Sequence, residues 1–320
     1  MNAKRFALCL SLAVVLAILS VWGLTWILPE MRYMNQDYSA WMQQRDYTLR
    51  NDDKQEILLL GDSRVKEDVF PEEFHPDAYN LSLGAGTPID IYYTLKDYMQ
   101  HHPKPRMVVV AFAPFHFCRI AGFTGANAYF HYLSADELRE VNRTLRRMDG
   151  KDYWLDTEQC IYRLPSVYMK PVVKSILFPQ TQRNESRYKQ IAADKGHLPN
   201  PSAQMRNVMP PETEDAGFVP LASQTYYMEQ IIKLCVNNGV ELHVEQTPIS
   251  SYGLKKLQEN GYLAAYQEYL KGFADRYDVD VTMELPGYDD EYFGDYSHLN
   301  EQGAHIFTRK LRERYFGAED

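Results

Sequence analysis

Two short stretches hold residue types that can do chemistry together. The first is "ILLLGDSRV", residues 57–65, in which an apolar run ends in Gly-Asp-Ser-Arg. The second is "GDYSHLN", residues 294–300, with Asp295 and His298 three positions apart. A serine hydroxyl beside a neutral imidazole can become a nucleophile, and a carboxylate on the far ring nitrogen can hold the tautomer and stabilise the imidazolium that forms. Each stretch also has a plainer reading. Ser63 can simply cap the helix that follows it. Asp295 and His298 can belong to a solvated turn, or to half of a metal site, although no H-E-x-x-H spacing accompanies them.

The surrounding elements decide whether the two stretches can meet. An apolar run of this length closing on a glycine reads as a buried strand entering a tight turn. Glu56 to Leu60 and Ala78 to Leu83 read as the first two strands. Asp90 to His101 reads as a helix with Ile91, Leu95 and Tyr98 at helical spacing. Met107 to Phe112 is a third strand, apolar enough to be buried on both faces. From about residue 118 to 220 the alternation lapses, which predicts one long insertion. Beyond it the spacing predicts a helix from Ala222 to Asn238 closed by Gly239, a strand from Glu241 to Gln246, and a helix from Leu254 to Tyr277. A short last strand, Val279 to Met283, precedes a helix from Asn300 to Tyr315 with Asn300 as its N-cap. The alternation predicts an α/β fold with a mostly parallel sheet covered on both faces, and five strands suit a flavodoxin-like doubly wound order. Ligands of such sheets bind at the carboxyl ends of the strands. Ser63 and His298 both follow predicted strands, so both are expected at that edge.

The 320-residue chain is 45% hydrophobic and 24% charged, which suits a globular protein with a sizeable core. Its net charge of -9 and lack of a long basic run argue against nucleic acid as a partner. Lys4 and Arg5 precede an uncharged run from Phe6 to Leu28, long enough to cross a bilayer as a helix, with Trp22 and Trp26 near its far end. Positive charge before the run predicts a cytoplasmic N-terminus. The expected arrangement is a single-pass membrane protein with anchor 1–29, a linker or stalk helix 30–55, and an extracytoplasmic domain 56–320. A cleaved signal peptide is the rival, weakened by the absence of an A-x-A pattern before Pro29. Cys118, Cys160 and Cys235 lie beyond the anchor and read as small buried hydrophobes, one bridge plus a free thiol being the alternative.

"GDSR" at the domain start, "YNLSLGAGTP" after the second strand and "DYSHLN" near the C-terminus together resemble the SGNH, or GDSL, hydrolase superfamily. The resemblance covers residues 56 to 315 apart from the insertion, and implies a three-layer α/β/α fold. Carried over, it makes Ser63 the nucleophile, His298 the base and Asp295 its orienter. The Ser63 N–H and a glycine of the second block would build the oxyanion hole. Gly84 is the match in one register and Ser82 in another. The third block departs from the family: "AFAPFHF", residues 111–117, lacks the usual asparagine. One such donor is worth ~3–4 kcal/mol of barrier. His116 stands near that place as a substitute donor or as a packed loop histidine. Arg64 is either a structural residue or a contact for an anionic group of a polymer.

An anchor plus an altered third block resembles the D-alanine transfer protein of teichoic acid modification and the polysaccharide O-acetyltransferase partners of membrane-bound O-acyltransferases. That likeness implies a serine acyltransferase or esterase acting on a cell-envelope polysaccharide or polymer, with a membrane-bound O-acyltransferase as a potential partner. It implies no cofactor and no metal. The insertion, with Tyr129, Tyr132, Tyr153, Trp154, Tyr162 and Tyr168, would line an acceptor groove, face the membrane partner, or pack on itself. The other reading is a non-catalytic polysaccharide-binding or scaffold protein on the same fold. The missing asparagine favours it, and the Ser, Asp and His set opposes it.

Overall fold

Gly61 ends the first strand because nothing larger fits there. In the structure, a computed structural model that describes residues 2–50, 55–120, 122–200 and 202–317, β1 (Ile57–Gly61) runs parallel to β3 (Met107–Ala111), with Gly61 opposite Ala111. A Cβ on Gly61 would sit 2.0 Å from the Ala111 carbonyl oxygen. The chain can therefore turn sharply away from the sheet at this point only without a side chain.

The main sheet is parallel throughout. β2 (Ala78–Asn80), β4 (Glu241–Glu245) and β5 (Asp280–Val281) complete it in the order 2-1-3-4-5. Alternation sorts the strand side chains onto two faces. Leu58, Leu60, Val108, Val110, Leu242 and Val244 join the larger apolar cluster, built with α4 (Pro88–His101), α9 (Ala222–Asn238) and α11 (Tyr262–Tyr277). Ile57, Leu59, Met107, Val109 and Ala111 join a second cluster with α3 (Ser63–Asp68) and α12 (Glu301–Phe316). Both faces are covered, as apolar parallel strands require.

The insertion lies between β3 and α9. It contributes α5 (Ala135–Asp149), α6 (Trp154–Ile161), α7 (Pro165–Leu177) and α8 (Thr181–Ala193). Tyr132 and Tyr168 are core residues, whereas Trp154 and Tyr162 are exposed. Two expectations need correction, and one element was not expected. The helix expected over 254–277 is two, α10 (Ser251–Glu259) and α11, because the chain breaks at Asn260–Gly261 where Gly261 takes φ +78. A small parallel pair, Ile249–Ser250 with Gly287–Tyr288, was too short to leave a period in the sequence. The stretch 30–55, expected as a stalk, is part of the domain as far as it is described. Its helix α2 (Gln36–Thr48) buries Tyr38, Trp41, Met42 and Tyr47 in the main core, and Gln44 Nε2 donates to the carbonyls of Asn80, Ser82 and Gly196. Residues 51–54 lie outside the described residues.

α1 (Ala3–Ile27) has the length and composition to cross a membrane. Its last turns pack on the insertion: Trp22 Nε1 donates to the Tyr162 carbonyl at 2.9 Å, and Thr25 is buried. Cys160 and Cys235 are buried free thiols, Cys118 is half-buried and Cys9 is exposed on α1.

Gly61→Ala tests the close approach of β1 and β3. It is expected to cost about 3 kcal/mol, since backbone rather than a flexible side chain must move. The check is a lowered urea midpoint, read by near-UV circular dichroism on the detergent-solubilised chain.

Candidate active site

The turn after β1 is organised by Asp62 rather than by Ser63. Asp62 is the N-cap of α3, and its Oδ1 accepts from the Arg64 N–H at 2.8 Å. Its Oδ2 accepts from the Ala113 N–H at 2.6 Å and faces His116 Nε2 at 3.3 Å. Capping by Asp62 leaves the Ser63 hydroxyl, on the first residue of the helix, free to point elsewhere. The reading of Ser63 as a cap therefore does not hold.

The hydroxyl meets His298. Ser63 Oγ and His298 Nε2 are 2.7 Å apart across 235 residues of sequence. His298 Nδ1 lies 2.9 and 3.0 Å from the two oxygens of Asp295. Asp295 is itself held: Oδ1 accepts from the Ser297 and His298 N–H groups, and Oδ2 from Asn200 Nδ2. The loop carrying these residues is fastened to α3 by the Leu299 N–H, which donates to buried Asp68 at 3.0 Å. Asn300 then caps α12 by accepting from the Gly303 N–H. An arrangement of this kind can move a proton from the serine to the imidazole while the carboxylate fixes the tautomer.

The electrostatics are lopsided. Burial acts to lower the His298 pKa, but the hydrogen bond to Asp295 and the charges of Glu67, Asp68 and Asp295 outweigh it and raise it to about 9. Asp295 is the reciprocal case: burial acts to raise it, and the hydrogen bond and charge of His298 bring it down to about 2. Glu67 Oε2 lies 3.8 Å from His298 Nδ1. Burial pushes the Glu67 carboxyl above its usual range, with His298 pulling it back. Asp68 is driven well above its usual value by burial.

Four of the predicted site residues need separate accounts. Gly84 lies at the strand edge, half-buried, in the wall of a cavity it shares with Glu67. The N–H groups of Ser63 and Gly84 have no acceptor among the described residues. Ser82 does not serve the site: it is fully buried, its N–H bound to Asn80 Oδ1 and its carbonyl accepting from Lys66 Nζ and Gln44. His116 is also a correction. It is buried, its pKa is lowered to about 4 by burial, and its Nε2 faces Asp62. A neutral ring that donates from Nε2 has only an acceptor left at Nδ1, so it offers no proton to an oxyanion. Arg64 is the third correction. Its side chain is 2% exposed and paired at 2.6 Å with the fully buried Glu212, so it is closed to any polymer.

Sequence reasoning missed Glu67, Asp68 and Lys66. The signal for Glu67 was present: it stands four residues after Ser63, on the same helical face one turn on. Asp68 and Lys66 gave no such signal, because the burial of a six-residue helix on nearly all sides is a tertiary fact. No protein-family model matches the chain, and no curated protein matches it.

The charge arrangement predicts a titration. NMR of the His298 imidazole should show a midpoint near 9. Glu67→Gln removes a negative charge that favours the imidazolium, so the midpoint should move down toward the ordinary histidine range. An unmoved midpoint would mean that Glu67 is not charged beside the ring.

Proposed function

We propose that the protein is a membrane-anchored, extracytoplasmic serine acyltransferase or esterase of the SGNH type, acting on acyl groups of a cell-envelope polysaccharide or polymer. One observation carries the reading: Ser63 Oγ stands 2.7 Å from His298 Nε2 while Nδ1 of the same ring stands 2.9 Å from Asp295. The strand order 2-1-3-4-5 supports it, being that of flavodoxin-like doubly wound sheets. So does the position of the site, at the carboxyl ends of the strands.

In this reading Ser63 Oγ attacks the acyl carbonyl carbon and its proton passes to His298 Nε2. The tetrahedral oxyanion is met by the N–H groups of Ser63 and Gly84. As the carbonyl–oxygen bond to the donor breaks, His298 returns the proton to the leaving alcohol, and an acyl-Ser63 ester remains. The acceptor hydroxyl then attacks that ester and gives its proton to His298, which hands it back to Ser63. Water as acceptor makes the protein an esterase, and a sugar or polymer hydroxyl makes it a transferase. A membrane-bound O-acyltransferase is the proposed source of the acyl group.

A non-catalytic polysaccharide-binding role is favoured by one observation. With its Nε2 facing Asp62, His116 offers no donor to an oxyanion. The contact between Ser63 and His298 weighs against it, since a binding scaffold needs no such pair.

A fluorophosphonate probe separates the two readings on the full chain in detergent. Labelling should fall on Ser63, vanish in Ser63→Ala, and slow by roughly 10²–10⁴ in His298→Ala. It should also accelerate between pH 7 and 9, because the base is the neutral imidazole and His298 loses its proton near 9. A folded chain whose Ser63 stays unlabelled throughout that range would favour the binding role.

A further inference from the structure

Two cavities lie end to end on the side of the domain that carries Glu67. The inner one, about 360 Å³, is walled by Lys66, Glu67, Gly84, Trp41 and Arg187 among others. The outer one, about 430 Å³, is walled by Tyr129, Lys174, Phe178 and Arg183 among others. Asn35 and Asp37 belong to both walls, so the two form one groove. Its inner end lies beside the candidate active site: Ser63 and His298 are not in its wall, but Gly84 and Glu67 are, and Glu67 faces His298. Its outer end is at the close of α7, the helix packed along the last turns of α1.

The charges along this groove are unbalanced. Lys66, Arg187, Arg183 and Lys174 run from the inner end to the outer, and among the described residues none has a carboxylate within salt-bridge distance. Lys66 is 1% exposed, and among the described residues its ammonium makes one hydrogen bond, a long one to the Ser82 carbonyl at 3.3 Å. The Nε of Arg187 is buried without a partner. Arg183 reaches only the Gln36 side-chain carbonyl. Two carboxylates share the walls: Asp37 is exposed beside Asn35, and Glu67 is turned toward His298. Arg64 is matched by Glu212 and half-buried Arg163 by Glu30, whereas half-buried Arg32, outside the groove, also keeps a buried Nε with no partner among the described residues. A buried, poorly partnered ammonium is costly to keep. Burial drives Lys66 down to about 7, with Arg187 lowering it further and Glu67 opposing. An arriving anion would supply the missing partner.

We infer that this groove binds a chain bearing repeated phosphate or carboxylate groups and presents it to Ser63. The anion contact that the sequence suggested for Arg64 belongs instead to Lys66 and Arg187, with Arg183 and Lys174 extending it outward. Half-buried Tyr129 supplies aromatic surface in the outer wall, while Trp41 and Phe130 back the inner wall as core residues. Only the last clause of the inference, delivery to Ser63, rests on the function proposed above. Binding does not need the serine to react.

The test uses the full chain in detergent micelles and fluorescence anisotropy with three labelled probes: an oligophosphate, an oligogalacturonate and a neutral maltodextrin. The expected result is salt-sensitive binding of an oligoanion and none of the neutral glucan. The better of the two oligoanions identifies the anionic group. Arg187→Gln should weaken binding about ten-fold, and adding Lys174→Gln and Arg183→Gln should weaken it further. Lys255→Gln with Lys256→Gln, on α10 away from the groove, should leave it unchanged. Ser63→Ala and His298→Ala should bind like the parent, so a failure of the serine chemistry and a failure of the groove give different results. Lys66→Met is informative if it folds, and the more exposed arginines carry the test if it does not. The inference is overturned if neither oligoanion binds, or if the α10 pair lowers affinity as much as the groove substitutions do.

Discussion

The carboxylate of Asp62 is wholly buried, and groups from two parts of the chain converge on it: the Arg64 N–H of α3, and the Ala113 N–H with the ring of His116 just past β3. The rest of the site depends on that convergence. An ionised or hydrogen-bonded carboxylate at a helix start satisfies orphan N–H groups that would otherwise recruit the neighbouring serine. With the cap supplied one residue earlier, Ser63 keeps its hydroxyl. The same carboxylate ties the end of β1 to the end of β3, so the turn cannot swing away from the sheet edge. Gly61 completes the constraint, since only a residue without a Cβ can pass the Ala111 carbonyl. Asp62 also holds His116 in a form that cannot donate toward the substrate. The residue that frees the serine therefore removes a candidate oxyanion donor.

The second organising feature is an excess of carboxyl groups around one imidazole. Asp295, Glu67 and Asp68 all act to raise His298, and burial opposes them. With a pKa near 9, roughly one molecule in a hundred holds His298 neutral at pH 7. A free-standing hydrolase would be poorly served by such a base. Neutralising Glu67 would lower the His298 pKa and increase the neutral fraction of the ring. Lys66, adjacent to Glu67 in sequence, opposes this by favouring the Glu67 carboxylate, whereas any further anion beside the ring would favour the imidazolium.

How much of this the sequence could carry depended on the range of each interaction. The strands around Ser63, the α9 helix with its Gly239 end and the Asn300 cap are local facts of period and capping, and each was legible. So was the pairing of "GDSR" with "GDYSHLN", because both follow strands of one parallel sheet. At Arg64, Ser82 and His116 the functional reading fails for a common reason, while the structural readings also open for Arg64 and His116 hold. Each is polar, close in sequence to the reacting groups, and turned inward by a partner far along the chain: Glu212, the Gln44 and Lys66 side chains, and Asp62. The groove was invisible for the same reason. Lys66, Lys174, Arg183 and Arg187 carry no shared motif, and only the folding of α8 against α2 brings them together.

That packing also changes the meaning of the N-terminal segment. A stalk would hold the domain at a distance and leave its orientation free. Here the chain leaves α1, turns at Glu30–Tyr33 and enters α2. From α2, Gln43 reaches the Tyr79 hydroxyl of β2 at 2.8 Å, and Gln44 reaches the carbonyls of Asn80 and Ser82. Those carbonyls belong to the loop that carries Gly84 to the strand edge. Arg163 of the insertion reinforces the start of the path, pairing with Glu30 and donating to the Thr25 carbonyl and the Tyr33 hydroxyl. Hydrogen bonds thus fasten both ends of this path, Arg163 at the close of α1 and Gln43 and Gln44 at β2 and the loop after it. If α1 lies in a bilayer, the groove's outer mouth, beside the exposed apolar residues Val173, Ile176, Leu177 and Phe178 of the α7 end, is held on the anchor side of the domain. A substrate chain reaching Ser63 through the groove would then enter from the membrane side, at an angle set by the fold.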